Sequence, residues 1–336
     1  MVVALAISVL PVFLFLGALV LLDSYKLIPL RAILFAVAAG CVAAAAGYAA
    51  NSWLREALAL DLPRYSRYVA PVVEELLKAL YVVWLMRRSK VGFVADAATY
   101  GFAVGTGFAL VENVLLLQAY PSATLWAWLV RGFGTALMHG GTTAIVAMMA
   151  RTLQKRETGL RLRLVLPGLA VAILLHALYN QFLVSPLLAT ALIMLVLPSI
   201  VNALFRKSER ETQAWLGTGF DMDQELLRVT RAGEVSNTPV GQYLRELRTS
   251  FPPEIIVDTM CLLRLRAELG VRAKGLLLLR EAGFEPAVDP SLSAKLEELH
   301  YLERSIGRTG MRAIRPFIHT STQDLWQLNL LDPAQR

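Results

Sequence analysis

Residues 71–84 read PVVEELLKALYVVW. The stretch is apolar enough to enter a bilayer, yet it carries Glu74, Glu75 and Lys78 at its centre. A charge near the bilayer centre costs at least about 2.5–3.5 kcal/mol on insertion scales. Such groups persist where they pair, line a polar cavity or do chemical work. Glu74 and Lys78 stand at i,i+4 and Glu75 and Lys78 at i,i+3, so on a helix Lys78 reaches either carboxylate. The two glutamates point about 100° apart around the axis. One can pair with Lys78 while the other faces a cavity.

The surrounding sequence makes this a membrane helix. The chain of 336 residues is 56% hydrophobic and 18% charged, against about 45–50% and about 25% for an ordinary soluble protein. Its mean hydropathy is +0.53. A spanning helix takes about 20 mostly apolar residues. Seven stretches meet that need, near 3–22, 30–50, 66–86, 93–118, 124–150, 164–183 and 187–205. The first has no basic n-region, so it reads as a retained span and not a cleaved signal peptide. The expected fold is all-α, a polytopic bundle of about seven transmembrane helices over residues 1–205, followed by a soluble helical domain over 206–336.

Charge supplies the orientation. Residues 1–205 hold 15 Lys and Arg against 8 Asp and Glu, whereas residues 206–336 hold 18 of each. The net charge of +7 therefore belongs to the membrane part, where it encodes topology and not a nucleic-acid surface. Basic residues mark cytoplasmic loops. Arg87, Arg88 and Lys90 form one such loop, and Arg151, Lys155, Arg156, Arg161 and Arg163 another. Arg206 and Lys207 follow the last span. Loops 119–123 and 184–186 have no Lys or Arg. This predicts a multi-pass protein of the cell membrane, with its N-terminus outside and its C-terminus in the cytoplasm. Residues 51–65 must then lie outside despite Arg55 and Arg64, and read as a short amphipathic segment on the outer surface.

In the tail, Pro and Gly punctuate helices. One helix is expected to end at Gly270, a second at Gly283 and a third at Gly307. His300 and His319 are isolated there and read as ordinary surface or packing residues. Cys41 lies in a span and Cys261 in the tail, so no disulfide or cysteine metal site is expected.

Three further spans carry polar residues. The fourth has Glu112 and Asn113, with Phe108 on the same face as Glu112. Gly101 and Gly105 form a small-residue spacing that permits close helix approach. Asp96 sits near its cytoplasmic end, where a cap or interface role is expected rather than chemistry. The fifth span has His139 followed by Gly140, Gly141, Thr142 and Thr143. Arg131 lies two turns toward the outer surface and can snorkel or pair with Glu112. The sixth has His176 and Asn180 at i,i+4, where Asn180 could orient the imidazole or hold a substrate carbonyl. Any one of these has an ordinary structural reading. Together they bring two carboxylates and two imidazoles from four spans to roughly mid-depth, a set suited to water activation and proton transfer.

Glu74-Glu75-x-x-Lys78, Phe108-x-x-x-Glu112-Asn113, His139 and His176-x-x-x-Asn180 resemble, in order and spacing, the PrsW family of bacterial and archaeal intramembrane proteases. That family is related to the CAAX-prenyl-protease and bacteriocin-processing superfamily. The resemblance covers roughly residues 66–183 and leaves the tail's role open. It implies an endopeptidase of membrane proteins, with a single-span anti-sigma factor as a candidate substrate. It points to Glu74 and Glu75 as the base motif, Glu75 preferred. Glu112, His139 and His176 join them, with Lys78, Asn113 and Asn180 in support. The implied chemistry is direct attack by water activated on a glutamate. Glu112, His139 and His176 could instead supply three zinc ligands with one open position; Zn2+ is thus a candidate cofactor beside metal-free glutamate chemistry, which the resemblance favours. Two other classes compete. Ionisable residues on several spans also build proton- or ion-coupled transporters, but no inverted repeat is visible. A non-catalytic membrane scaffold would have little use for four polar motifs within its spans.

Overall fold

The computed structural model describes residues 2–23, 25, 27–154, 162–232, 234–284, 289–314 and 322–331. Lys155, Arg156, Arg161 and His319 lie outside them. Every regular element among the described residues is a helix, and they divide into two compact units, Met1–Glu209 and Arg210–Arg336.

The first unit begins with α1 (Val2–Leu21) and α2 (Leu30–Ala57). A π-helical turn, Tyr65–Val69, runs into α3 (Ala70–Arg87), the helix of the opening motif. Next come α4 (Val94–Ala119) and α5 (Leu125–Gln154), the latter interrupted by a second π-turn at Arg131–Thr135. α6 (Leu166–Asn180) and α7 (Pro186–Arg231) follow. α1, α2, α4, α5 and α7 are long and apolar enough to cross a membrane. α3 falls outside that group because of its charges, and α6 because it has 15 residues. Leu10, Leu14, Phe35, Val42, Leu80 and Leu174 are exposed on the helix surfaces, as lipid-facing residues should be. The chain is an all-α polytopic membrane bundle.

α4 is the central helix, buried almost continuously from Asp96 to Ala109. Small residues let its neighbours approach. A Cβ on Gly107 would stand 1.9 Å from the Val37 carbonyl oxygen of α2, and one on Gly105 would stand 2.3 Å from the His139 carbonyl oxygen of α5. The Gly101/Gly105 spacing is therefore a packing surface, and it sets the backbone height of His139. Asp96 caps α4, its Oδ2 accepting from the backbone N–H groups of Gly92 and Phe93 at 3.0 and 2.9 Å.

Three expectations change. Residues 51–57 are the last turns of α2 and not part of a separate segment. α7 does not stop at 205 but runs on to Arg231. In the second unit, α8 (Pro239–Leu247), α9 (Pro253–Glu281), α10 (Ser291–Ala313) and α11 (Thr322–Leu331) surround a leucine-rich core. α9 passes straight through Gly270, which gives room to the Asp223 carboxylate, 2.3 Å from where a Cβ would be. Gly283 follows the end of α9 in a left-handed conformation (φ 84), and Gly307 (φ 68) breaks α10 into two helical stretches, both as their sequence positions predict.

Candidate active site

The five predicted site residues meet in one cluster. α3 brings Glu75 and Lys78, both fully buried, into a 2.6 Å ion pair. Lys78 thus takes the i,i+3 partner and leaves Glu74 free of it. Glu75 Oε1 accepts two more bonds, from Thr142 Oγ1 at 3.1 Å and from His176 Nδ1 at 2.9 Å. Its Oε2 is buried and has no hydrogen-bond partner among the described residues.

His139 and His176 stand edge to face, ring centroids 4.8 Å apart. Lys78 Nζ is 3.2 Å from His139 Nδ1. An ammonium can only donate, so Nδ1 accepts and Nε2–H donates to Glu112 Oε2 at 2.9 Å. Phe108 packs against His139 at 5.1 Å and beneath Lys78 at 5.0 Å. Arg131 pairs with Glu112, Nη2 lying 3.0 Å from Oε2 in poor hydrogen-bond alignment. Arg131 Nε donates to Asn113 Oδ1 at 2.7 Å, and Asn113 Nδ2 donates to the Ser8 carbonyl of α1 at 2.8 Å. Asn113 therefore supports Arg131. Asn180 does not orient His176; its Nδ2 donates to the Ser66 carbonyl at 2.9 Å and ties α6 to the first π-turn.

Glu74 occupies the more open side, its side chain 14% exposed against 0% for Glu75. Its Oε1 accepts from Asn51 Nδ2 at 3.1 Å, and Asn51 Oδ1 accepts from the Tyr65 hydroxyl at 2.9 Å. Its Oε2 lies 3.9 Å from His176 Nε2. Asn51 and Tyr65 were not singled out from the sequence. A polar residue near the end of an apolar run looks like the end of a span, and nothing local shows that it returns to the site.

The cluster's residues stand at different heights on their helices, His139 at the middle of α5. His176 is four residues from the end of α6 and Glu112 seven from the end of α4, about 6 and 10 Å at 1.5 Å per residue. Three carboxylates face two fixed cations, Lys78 and Arg131. With neutral imidazoles the cluster holds one excess negative charge, which a proton or a metal cation would offset.

A family model described as PrsW family intramembrane metalloprotease matches residues 28–204. The chain belongs to the PrsW family. The match takes in α2 to α6 and the start of α7, hence every residue of the cluster, Asn51 and Tyr65 included. Comparison with curated proteins and with solved structures gave no match.

A PrsW metalloprotease implies a metal, and the donor set here fits one. Glu74, His139 and His176 can each offer one ligand atom, all within 4.8 Å of one another; His139 would give up its bond with Lys78 or with Glu112 to do so. Two imidazoles and a carboxylate form a usual catalytic zinc set that leaves a fourth position open. His176 is already oriented for it: Nδ1 donates to Glu75, so Nε2 is the free ligand atom, the arrangement in which a carboxylate steers a metal-bound histidine. The unpartnered Glu75 Oε2 is a buried acceptor that still calls for a donor or cation. Glu74 takes the third place expected of Glu112, which is held by His139 and Arg131.

Proposed function

We propose that this chain is an endopeptidase that hydrolyses peptide bonds of membrane proteins at the Glu74–His176 edge of the cluster, with water as the nucleophile. The observation that carries the reading is the convergence of Glu74, Glu75, Glu112, His139 and His176 from four helices in a family of intramembrane proteases.

Glu74 is the water-side carboxylate, in preference to Glu75. Glu75 is neutralised by Lys78 and spends one oxygen on three donors, which suits an anchor better than a base. Glu74 has an oxygen 3.9 Å from His176 Nε2 and is the more exposed of the two carboxylates. As a base it takes a proton from water, and the water oxygen adds to the scissile carbonyl. The proton then passes to the leaving amine. With a divalent metal held by Glu74, His139 and His176, Glu74 would be a ligand in place of a free base, and the metal would supply the activation of water and the polarisation of the carbonyl.

The substrate comes from the bilayer. An apolar cavity of about 570 Å³ lies between α5, α6 and α7, with Leu137, Leu175, Tyr179, Leu192 and Val196 on its walls. Thr142, which donates to Glu75, also lines it. The loops lacking Lys and Arg, 119–123 and 184–186, follow α4 and α6, which supports a topology with that end of the bundle outside the cell and the C-terminus in the cytoplasm.

The test is cleavage of a single-span membrane protein by purified protein in detergent. Glu74→Gln and His176→Ala should each stop cleavage while the bundle keeps its melting temperature within a few degrees. Persistent cleavage by both variants would refute the site. Substrate uptake into liposomes without cleavage of any membrane protein would favour a transporter.

A further inference from the structure

We infer that Asn51 and Tyr65 are positioning residues for Glu74. This rests on the reading of Glu74 as the water-side carboxylate and adds two residues to its machinery.

The argument is geometric. A glutamate side chain has three rotatable bonds and, without partners, would sample several rotamers at the edge of the cluster. Here one oxygen is claimed. Asn51 Nδ2 donates to Glu74 Oε1 at 3.1 Å, which leaves Oε2 turned toward His176 Nε2. The Asn51 amide has its own restraint. Its Oδ1 accepts from the Tyr65 hydroxyl at 2.9 Å, and Tyr65 is only 2% exposed. With Oδ1 occupied by a phenol O–H, the amide nitrogen faces the carboxylate. Tyr65 therefore sets the amide, and the amide sets the glutamate.

The three groups come from separate elements. Asn51 is in the last turns of α2, Tyr65 opens the first π-turn, and Glu74 lies in α3. That π-turn is itself held by α6 through the Asn180–Ser66 bond. The same α6 carries His176. The positions of Glu74 and His176 are thus referred to one scaffold, as a site that must hold two groups within about 0.5 Å requires.

The test uses the full-length protein in detergent with a single-span substrate, reading kcat and KM separately, together with the unfolding equilibrium. Asn51→Leu should lower kcat by about 10- to 100-fold and change KM by less than about 2-fold, because it misplaces a reacting group without touching the substrate. Tyr65→Phe should lower kcat by about 3- to 10-fold. The Asn51→Leu/Tyr65→Phe double variant should be no slower than Asn51→Leu, since Tyr65 acts only through Asn51. Independently of activity, an Asn51→Leu and Glu74→Gln cycle on the unfolding constant should show coupling of about 3-fold or more. Additive kcat effects of the two substitutions, a change confined to KM, or no coupling in the unfolding cycle would overturn the inference. If the parent protein cleaves nothing, the proposed function fails, and the unfolding cycle still decides whether Asn51 holds Glu74.

Discussion

Replacing Lys78 by Met tests the centre of the cluster. The change keeps side-chain length and removes one charge. Lys78 and Glu75 are 2.6 Å apart and neither has any exposed side-chain surface. Water cannot enter to solvate the carboxylate left behind, and the excess negative charge of the cluster doubles. Removing one partner of a buried pair costs about 3–5 kcal/mol, or about two to three and a half powers of ten in the folded-to-unfolded ratio at about 1.4 kcal/mol per tenfold. For a unit of this size about 2–4 °C of melting temperature goes with each kcal/mol, so a fall of about 6–20 °C is expected. Lys78→Met combined with Glu75→Gln removes both charges and should melt above Lys78→Met alone. The assay is thermal unfolding in mild detergent, followed by circular dichroism. A Lys78→Met protein that melts within about 2 °C of the parent, or a double variant that melts no higher than the single one, would refute the claim that this pair is desolvated and mutually dependent.

Other consequences are open to measurement. Glu74→Gln should lower kcat by at least about 100-fold, the usual scale of a lost general base, with a melting temperature near the parent's. Glu75→Gln should lose both activity and stability, since Glu75 anchors Lys78, Thr142 and His176. Zinc-loaded parent protein should hold about one zinc per chain by metal analysis, and Glu74→Gln and His176→Ala should not; no zinc on the parent would remove the metal reading. Gly105→Ala places a Cβ 2.3 Å from the His139 carbonyl and should cost about 1–3 kcal/mol by overpacking, measured by unfolding. Leu192→Trp, at the wall of the apolar cavity, should lower kcat/KM for a membrane-spanning substrate and leave hydrolysis of a short soluble peptide unchanged.

Much of this bundle was legible because hydropathy and helical spacing are local signals. The apolar stretches became helices, and Glu74, Glu75, Glu112, His139 and His176, drawn from four of them, came together. What the sequence did not reveal depends on long-range approach. Lys78 reaches Glu74 and Glu75 equally well on an isolated helix; the choice of Glu75 comes with His176 and Thr142, which take up the same carboxylate oxygen. Asn51 is separated from Glu74 by the turn between two helices, and its polar character near an apolar run reads as an interface residue. Asn180 lies at i,i+4 to His176 and still bonds elsewhere, to Ser66. Gly270 looks like a terminator, and only the nearness of Asp223 explains it as a gap.

The π-turn at Tyr65–Val69 also sets an angular phase. Tyr65 and Glu74 are nine positions apart. On an unbroken α-helix at 100° per residue they would project on opposite sides, roughly 180° apart. A π-turn takes up about one extra residue, which reduces the separation to roughly 80° and lets both side chains meet Asn51. Removing one residue from 65–69 would leave eight positions on a regular helix and the same separation of roughly 80°, whereas straightening the turn at its present length would return it to roughly 180° and rotate Tyr65 away from the amide it holds. Here a helical irregularity is a register setting: it absorbs the one residue that would otherwise put Tyr65 on the wrong side of its helix.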